Sequence, residues 1–360
     1  MLPFLGGIFG NPSSVHHVGR QARFFLDEAR ERVAQVWGSK PSEVVFTSGG
    51  TESNNLAIIG TARRLRDKGR HLITSRIEHH AVLHCFEYLQ RKEGFSVTFL
   101  PVNEEGLVSP DDLAAAIRPE TILVSIMAAN NEIGTIQPVD ALGEICRSRG
   151  VVFHTDAAQW LGKEHFESIH QFNADLVSVC SHKFYGPKGA GALFVRSPLH
   201  PDPILFGGSH ENERRAGTEN LAGIIGFAEA LSRFVKPPVF SSEALKPLVT
   251  QLTTRICSMD GVKFRGSAQQ RLANTVAFTV AGCDSITLLA GLDLMGICAS
   301  SGSACSAGSL EPSHVLLALG VEKRLANSLV RFSPGRDSTL KEVEAVGDGF
   351  LHVIKQARCL

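Results

Sequence analysis

Between residues 43 and 195 short β-branched runs alternate with segments of helical period. "EVVFT" (43–47) is followed by "ESNNLAIIGTARRLRDKG" (52–69), whose apolar spacing predicts a helix closed by a glycine. "HLITS" (71–75) precedes the helical "HAVLHCFEYLQRKEG". "FSVTFLP", the helix-like "SPDDLAAAIRP", "TILVSIM", the helix-like "VDALGEICRSRG" and "VVFHTD" continue the series, which "ADLVSVC" and "GALFV" complete. Such alternation predicts a mostly parallel sheet with helices on both faces, an α/β fold.

After about residue 235 the pattern changes. "KPPVFSSEALKP" reads as a linker into a long helix. "NTVAFTV", "GICASS" and "NSLVRFS" read as strands, mixed with helices at 284–294, 312–319 and 338–356. Two domains are expected: a large α/β domain over 1–235 and a smaller α+β domain over 236–360.

Composition excludes several functions. Lysine plus arginine equal aspartate plus glutamate at 36 each, so no net field favours nucleic acid. No apolar run approaches the ~18 residues of a membrane span. "MLPFLGGIFG" is apolar but has neither a basic leader nor a cleavage site. The eight cysteines form no C-x-x-C pair, which fits neither a zinc site nor a disulfide framework. Most are expected to be reduced core thiols of a cytoplasmic protein.

Five stretches carry chemistry. "FTSGGTESNNLAIIG" (46–60) reads as strand, Gly-rich turn and helix, where backbone amides and the Thr51 hydroxyl would hold a phosphate. It is neither a P-loop nor a dinucleotide fingerprint, and an ordinary βα turn has the same composition. "VVFHTDAAQ" (151–159) ends a strand with Asp156, where a carboxylate pairs with a ligand cation such as a pyridinium nitrogen, or caps a helix. Gln159 lies about one helical turn beyond. "CSHKFYGPKGAGALFV" (180–195) sets Lys183 between a buried strand and a glycine-rich hairpin. A lysine partly desolvated by His182 and Tyr185 would form Schiff bases with carbonyls, whereas Lys188 reads as a solvated turn residue. "IEHHAVLHC" (77–85) puts His79 after a strand, able to stack on a flat cofactor or move a proton. His80 and His84 have metal-ligand spacing but no evident third ligand, and read as helix-surface residues. "MAANNEIGTIQP" (127–138) offers Asn131 as a side-chain donor or a turn residue.

Two arginine stretches and one thiol remain. "RRAGTEN" (214–220) places Thr218 before an apolar helix, as an N-cap or a phosphate ligand. "VRFSPGR" (330–336) gives Arg331, suited to a carboxylate clamp or a surface ion pair. In "SSGSACSAGSLEPSHVLLALG" (300–320), Cys305 sits among Ser, Gly and Ala, a composition that buries little and predicts a mobile surface loop.

The phosphate turn, strand-end aspartate, S-H-K lysine and carboxylate arginine occur together and in order. The chain thereby resembles the fold-type I pyridoxal-phosphate enzymes of aminotransferase class V, and more narrowly the cysteine desulfurases. The resemblance runs from "GNPSS" (10–14) to "RFSPGR". It rests on "TSGGTESNNLAI", "NNEIG", "SHKFYGPKG", "RAGTEN" and "SSGSACSAGSLEPSHVL". It implies a seven-stranded, mostly parallel sheet between helices, with a smaller C-terminal domain carrying the cysteine loop. It implies that Lys183 carries pyridoxal 5'-phosphate, that Asp156 pairs with the ring nitrogen, that Gln159 contacts the ring hydroxyl and that His79 stacks on the ring. Gly50, Thr51, Cys180, Ser181 and His182 would surround the phosphate, and Thr218 would reach the phosphate of a neighbouring subunit in a homodimer. Asn131 and Arg331 would hold the carboxylate of L-cysteine. Cys305 would be the nucleophile that takes the substrate sulfur as a persulfide, leaving L-alanine. On this reading sulfur passes on to an iron–sulfur scaffold or another acceptor protein, Cys305 touching a cluster during transfer with no resident metal site.

Two departures qualify this. Relatives begin with a segment resembling "YLDNNATT" and a helix upstream of this Met1, and "MLPFLGG" matches that helix's interior. Either the true start lies further upstream or the chain is a truncated form, and in a truncated form a strand and a pocket wall would be absent. Cys180 stands where the family commonly has serine, which implies a weaker hold on the cofactor. Rival readings are a selenocysteine lyase, a class-V aminotransferase, against which the cysteine loop speaks, and a non-catalytic sulfur-relay protein.

Overall fold

The computed structural model describes residues 1–302 and 311–358; Cys305 lies outside the described residues. Seven strands form the main sheet: β1 (Val44–Thr47), β2 (His71–Ser75), β3 (Ser96–Leu100), β4 (Thr121–Ser125), β5 (Val152–Asp156), β6 (Leu176–Cys180) and β7 (Gly191–Val195). Their order is β1-β7-β6-β5-β4-β2-β3. Pairings among β6, β5, β4, β2 and β3 are parallel, while β7 runs antiparallel to both β1 and β6.

Alternate residues of each strand serve opposite faces. Leu72 and Leu123 pack with Ile58, Val82, Phe86 and Leu89 on one side, while Ile73 and Val124 join Trp37, Leu142, Phe153, Phe194 and Phe227 on the other. Both faces are covered, so β1, β2, β4, β6 and β7 are buried along their whole length and read as near-continuous apolar runs. Polar side chains within the sheet satisfy one another. The His154 ring bridges Ser125 Oγ (2.8 Å) and Ser178 Oγ (2.9 Å), and burial pulls its pKa to about 3, so it is a neutral crosslink of three strands.

A second, three-stranded sheet holds β8 (Val262–Arg265), β9 (Val276–Val280) and β10 (Val330–Phe332) in the order β10-β9-β8, all antiparallel. Helices Ser242–Cys257, Ser285–Leu294 and Leu340–Ala357 accompany it.

Three expectations change. "GICASS" is not a strand: Gly296 turns at φ +74° and only Ser300 pairs, in an isolated bridge to Arg331. The helix expected over 52–69 spans Gly50–Leu65 and contains a π-helical segment at Leu56–Gly60. Cys85, Cys146 and Cys180 are buried, but Cys257 and Cys298 are exposed rather than core thiols.

The pairing of β7 with β1 and β6 brings Gly191 against the turn that follows β1. A Cβ there would lie 2.7 Å from both Gly49 Cα and the Val179 carbonyl oxygen. Gly191→Ala is expected to destabilise the chain by about 1–3 kcal/mol through overpacking, read by urea unfolding.

Candidate active site

Six strands of the main sheet point their carboxyl ends at one edge, and residues at or just beyond the ends of five of them face a shared cavity of about 350 Å³. The turn after β1 delivers Gly50, Thr51 and Asn54. His79 follows β2, and Asn131 follows β4. Asp156 ends β5 and Gln159 comes just after it. Cys180 ends β6, followed by His182 and Lys183. Arg331 arrives from β10 of the second sheet. The residues from Gly50 to Lys183 meet because the strands that deliver them share a direction, and Arg331 joins them from the second sheet.

Asp156 forms the polar centre. It is 7% exposed. Its Oδ2 accepts from Asn54 Nδ2 at 2.7 Å and its Oδ1 from the Ala158 backbone at 2.9 Å. Among the described residues no cation pairs with it, so the carboxylate has lone pairs left for a cationic ligand atom. Asn54 Oδ1 is also buried without a partner among the described residues.

The phosphate-type turn is built from backbone. Gly49 sits at φ +152°, a region open to glycine, and Gly50 begins the helix. Gly50 lies against β6 at ordinary contact distance: a Cβ built on it would stand 3.4 Å from Cys180 Cβ. The Cys180 thiol lies 3.4 Å from His182 Nδ1. Burial, reinforced by Asp156, pushes it up to about 11, so it remains a neutral thiol. Burial also lowers the His182 pKa, and Lys183 and Lys188 add to the effect.

His79 caps the helix His80–Glu93, its Nδ1 accepting from the Ala81 N–H at 3.1 Å. In the neutral ring the proton is therefore on Nε2. Arg331 Nη1 donates to the Asn131 carbonyl oxygen, while its Nε is buried and unpartnered among the described residues. Burial lowers its pKa, and Glu132 opposes that. Gln159 accepts from Lys163 Nζ at 2.6 Å.

Several predicted residues lie elsewhere. Thr218 is exposed and outside the cavity, and the N-cap of helix Leu221–Phe234 is Asn220, which accepts from the Gly223 N–H at 3.1 Å. Ser181 is fully buried beside Gly186 rather than in the cavity wall. Lys183 does line the cavity but is exposed rather than desolvated, and Tyr185 packs on Phe234 and beneath Arg336. His80 stacks on His84 at 5.1 Å and lies 4.8 Å from His314. Among the described residues no group of three ligands is placed for a metal.

Sequence reasoning missed Asn54, Lys163 and Glu78. Asn54 stands four residues after Gly50 on the same helix face, a spacing that could have shown it. Lys163 and Glu78 carry no local signal; only the fold buries them.

The family model for class-V aminotransferases matches residues 1–346. The chain belongs to that family. Within it, the chain is 46% identical over all of its length to the cysteine desulfurase IscS of Dictyoglomus turgidum, covering 91% of that protein. It is 45% identical over 99% of its length to the cysteine desulfurase IscS of Methanosarcina thermophila, covering 88% of that protein. Its structure is similar to that of a NifS-like protein, with TM-score 0.91 at 34% identity, covering 99% of this chain and 94% of the other. Within the class-V aminotransferase family the chain therefore stands among the cysteine desulfurases, and its architecture is that of fold-type I enzymes.

Glu78 gives the site a pH signature. Its Oε1 accepts from Ser75 Oγ (2.6 Å) and the Met127 N–H (3.0 Å), and burial raises its pKa from 4.5 to about 8. Between those values the folded chain holds a proton that the unfolded chain has released, so stability falls as pH rises. Glu78→Gln is expected to gain on the parent by about 1 kcal/mol per pH unit across that window, in urea unfolding at successive pH values.

Proposed function

We propose that this cavity binds pyridoxal 5'-phosphate and converts L-cysteine to L-alanine, passing the sulfur to Cys305. The observation that carries the reading is the buried Asp156 carboxylate without a cationic partner among the described residues, in one cavity with Lys183. The donor set fits the cofactor: Asp156 suits a protonated ring nitrogen, and the start of the helix at Gly50 and Thr51 suits a phosphate. When bound, the cofactor supplies an electron-accepting ring conjugated to the substrate α-carbon.

The chain's own groups do the rest. Lys183 Nζ would hold the cofactor covalently and would serve as the base for the substrate Cα proton. Asp156 would keep a proton at the ring nitrogen, His79 would lie against the ring, and Gln159 would meet the ring oxygen. Thr51, Cys180 and His182 would belong to the phosphate end, with Cys180 acting as a neutral donor. Arg331, with its free Nε, and Asn131 hold the substrate carboxylate. The Cys305 thiolate attacks the substrate sulfur: the carbon–sulfur bond breaks, a sulfur–sulfur bond forms on Cys305, and the carbon frame is reprotonated to alanine.

The wider reading follows the same line. The chain works as a cytoplasmic homodimer in which Thr218, exposed and outside its own cavity, serves the neighbouring subunit's phosphate. Residues 1–235 would hold the cofactor and 236–360 would carry Cys305. The persulfide supplies an iron–sulfur scaffold or another acceptor protein. No described helix is long and apolar enough to cross a membrane.

The test is to incubate the purified chain with pyridoxal phosphate, L-cysteine and a reductant, and to quantify alanine and sulfide together. Equal amounts of both are expected. Cys305→Ala should lose at least 100-fold in rate while keeping the cofactor's visible absorption, and Lys183→Ala should lose both (~3 kcal/mol or more of barrier lowering). Alanine and sulfide released at the parent rate by Cys305→Ala would contradict the proposal.

A further inference from the structure

Lys163 lies in the turn after β5 and is 7% exposed, although it does not line the cavity. Its Nζ donates to Gln159 Oε1 at 2.6 Å, and among the described residues no carboxylate pairs with it. A carboxamide has two chemically distinct ends. An ammonium has three donors and no lone pair, so the end it holds is the carbonyl oxygen. The Gln159 NH₂ group is thereby left as the end free to serve a ligand in the cavity that Gln159 lines.

We propose that Lys163 is a positioning residue that locks the Gln159 carboxamide with its NH₂ toward the cavity, so that the site presents a donor to the cofactor's ring oxygen. This inference rests on the pyridoxal-phosphate reading above. A buried lysine is a costly way to hold an amide, and its surroundings explain the choice. Burial, then Lys183 and Arg331, pull Lys163 down to about 7, while Cys180 and Glu164 act the other way. An anionic ring oxygen beyond Gln159 favours the charged lysine and is itself favoured by the donor that the lysine orients. A neutral Lys163 would keep only a weaker contact.

The consequence concerns the proton shared between the ring oxygen and the Lys183 nitrogen. With the Gln159 donor lost, the ring oxygen is a stronger base and holds that proton to higher pH. The experiment loads the full-length parent, Lys163→Met, Gln159→Leu and the double variant with pyridoxal phosphate. The visible absorption band of each is then titrated against pH. Each single change is expected to raise the midpoint by about one pH unit, the size of a lost hydrogen bond to a charged group. The double variant should match Gln159→Leu alone, because Lys163 acts through Gln159. Lys163→Arg, which keeps a donor for Oε1, should hold the parent midpoint, and Lys163→Leu, which also removes the donor, replaces Lys163→Met if the methionine variant does not fold. A parent midpoint in Lys163→Met, shifts that add in the double variant, or a full shift in Lys163→Arg would each overturn the proposal. A parent chain with no visible band would instead overturn the cofactor reading, and this inference with it.

Discussion

A carboxylate buried at the end of a strand organises this molecule. Asp156 is 7% exposed and is held by Asn54 and the Ala158 backbone, neither of which neutralises it. Leaving a charge in that condition costs several kcal/mol unless a cation arrives. The groups around it read as terms of one arrangement. Lys183, Lys163 and Arg331 bring positive charge to the same region, and burial lowers the pKa of the latter two. A ligand with a cationic ring nitrogen and anionic ends relieves both imbalances at once.

The sheet makes that arrangement affordable. Strands buried on both faces, crosslinked by neutral groups such as His154, form a stiff platform whose carboxyl ends coincide. Function sits in the turns just beyond, where a few residues carry both tasks. His79 caps a helix and faces the cavity; Gly50 starts one and lies against β6. The π-helical segment at Leu56–Gly60 falls in the helix that carries Asn54 to Asp156. The second sheet adds Arg331 and ties it back through the Asn131 carbonyl oxygen, which couples its position to the turn after β4.

Much of this was legible in the sequence because it is local. Apolar runs such as "TILVS" and "LVSVC" mark buried strands, and the residues that line the cavity follow them within a few positions. The misses are non-local. Asn54 matters through a partner 102 positions away, and Lys163 through burial that only packing reveals. "GICASS" has strand composition, yet Gly296 turns the chain and only Ser300 finds a partner. Tyr185 was expected to shelter Lys183, but its ring goes to Phe234, a contact that no spacing rule encodes.

The central claim is that Asp156 awaits a cationic ring. The most direct measurement is the affinity of pyridoxal phosphate for Asp156→Asn against the parent, with the unfolding free energy of both cofactor-free chains. The account predicts binding weakened at least tenfold, about 1.4 kcal/mol, while the cofactor-free variant is as stable as the parent or more so, because an uncompensated charge has gone. Unchanged affinity in a folded variant would contradict it.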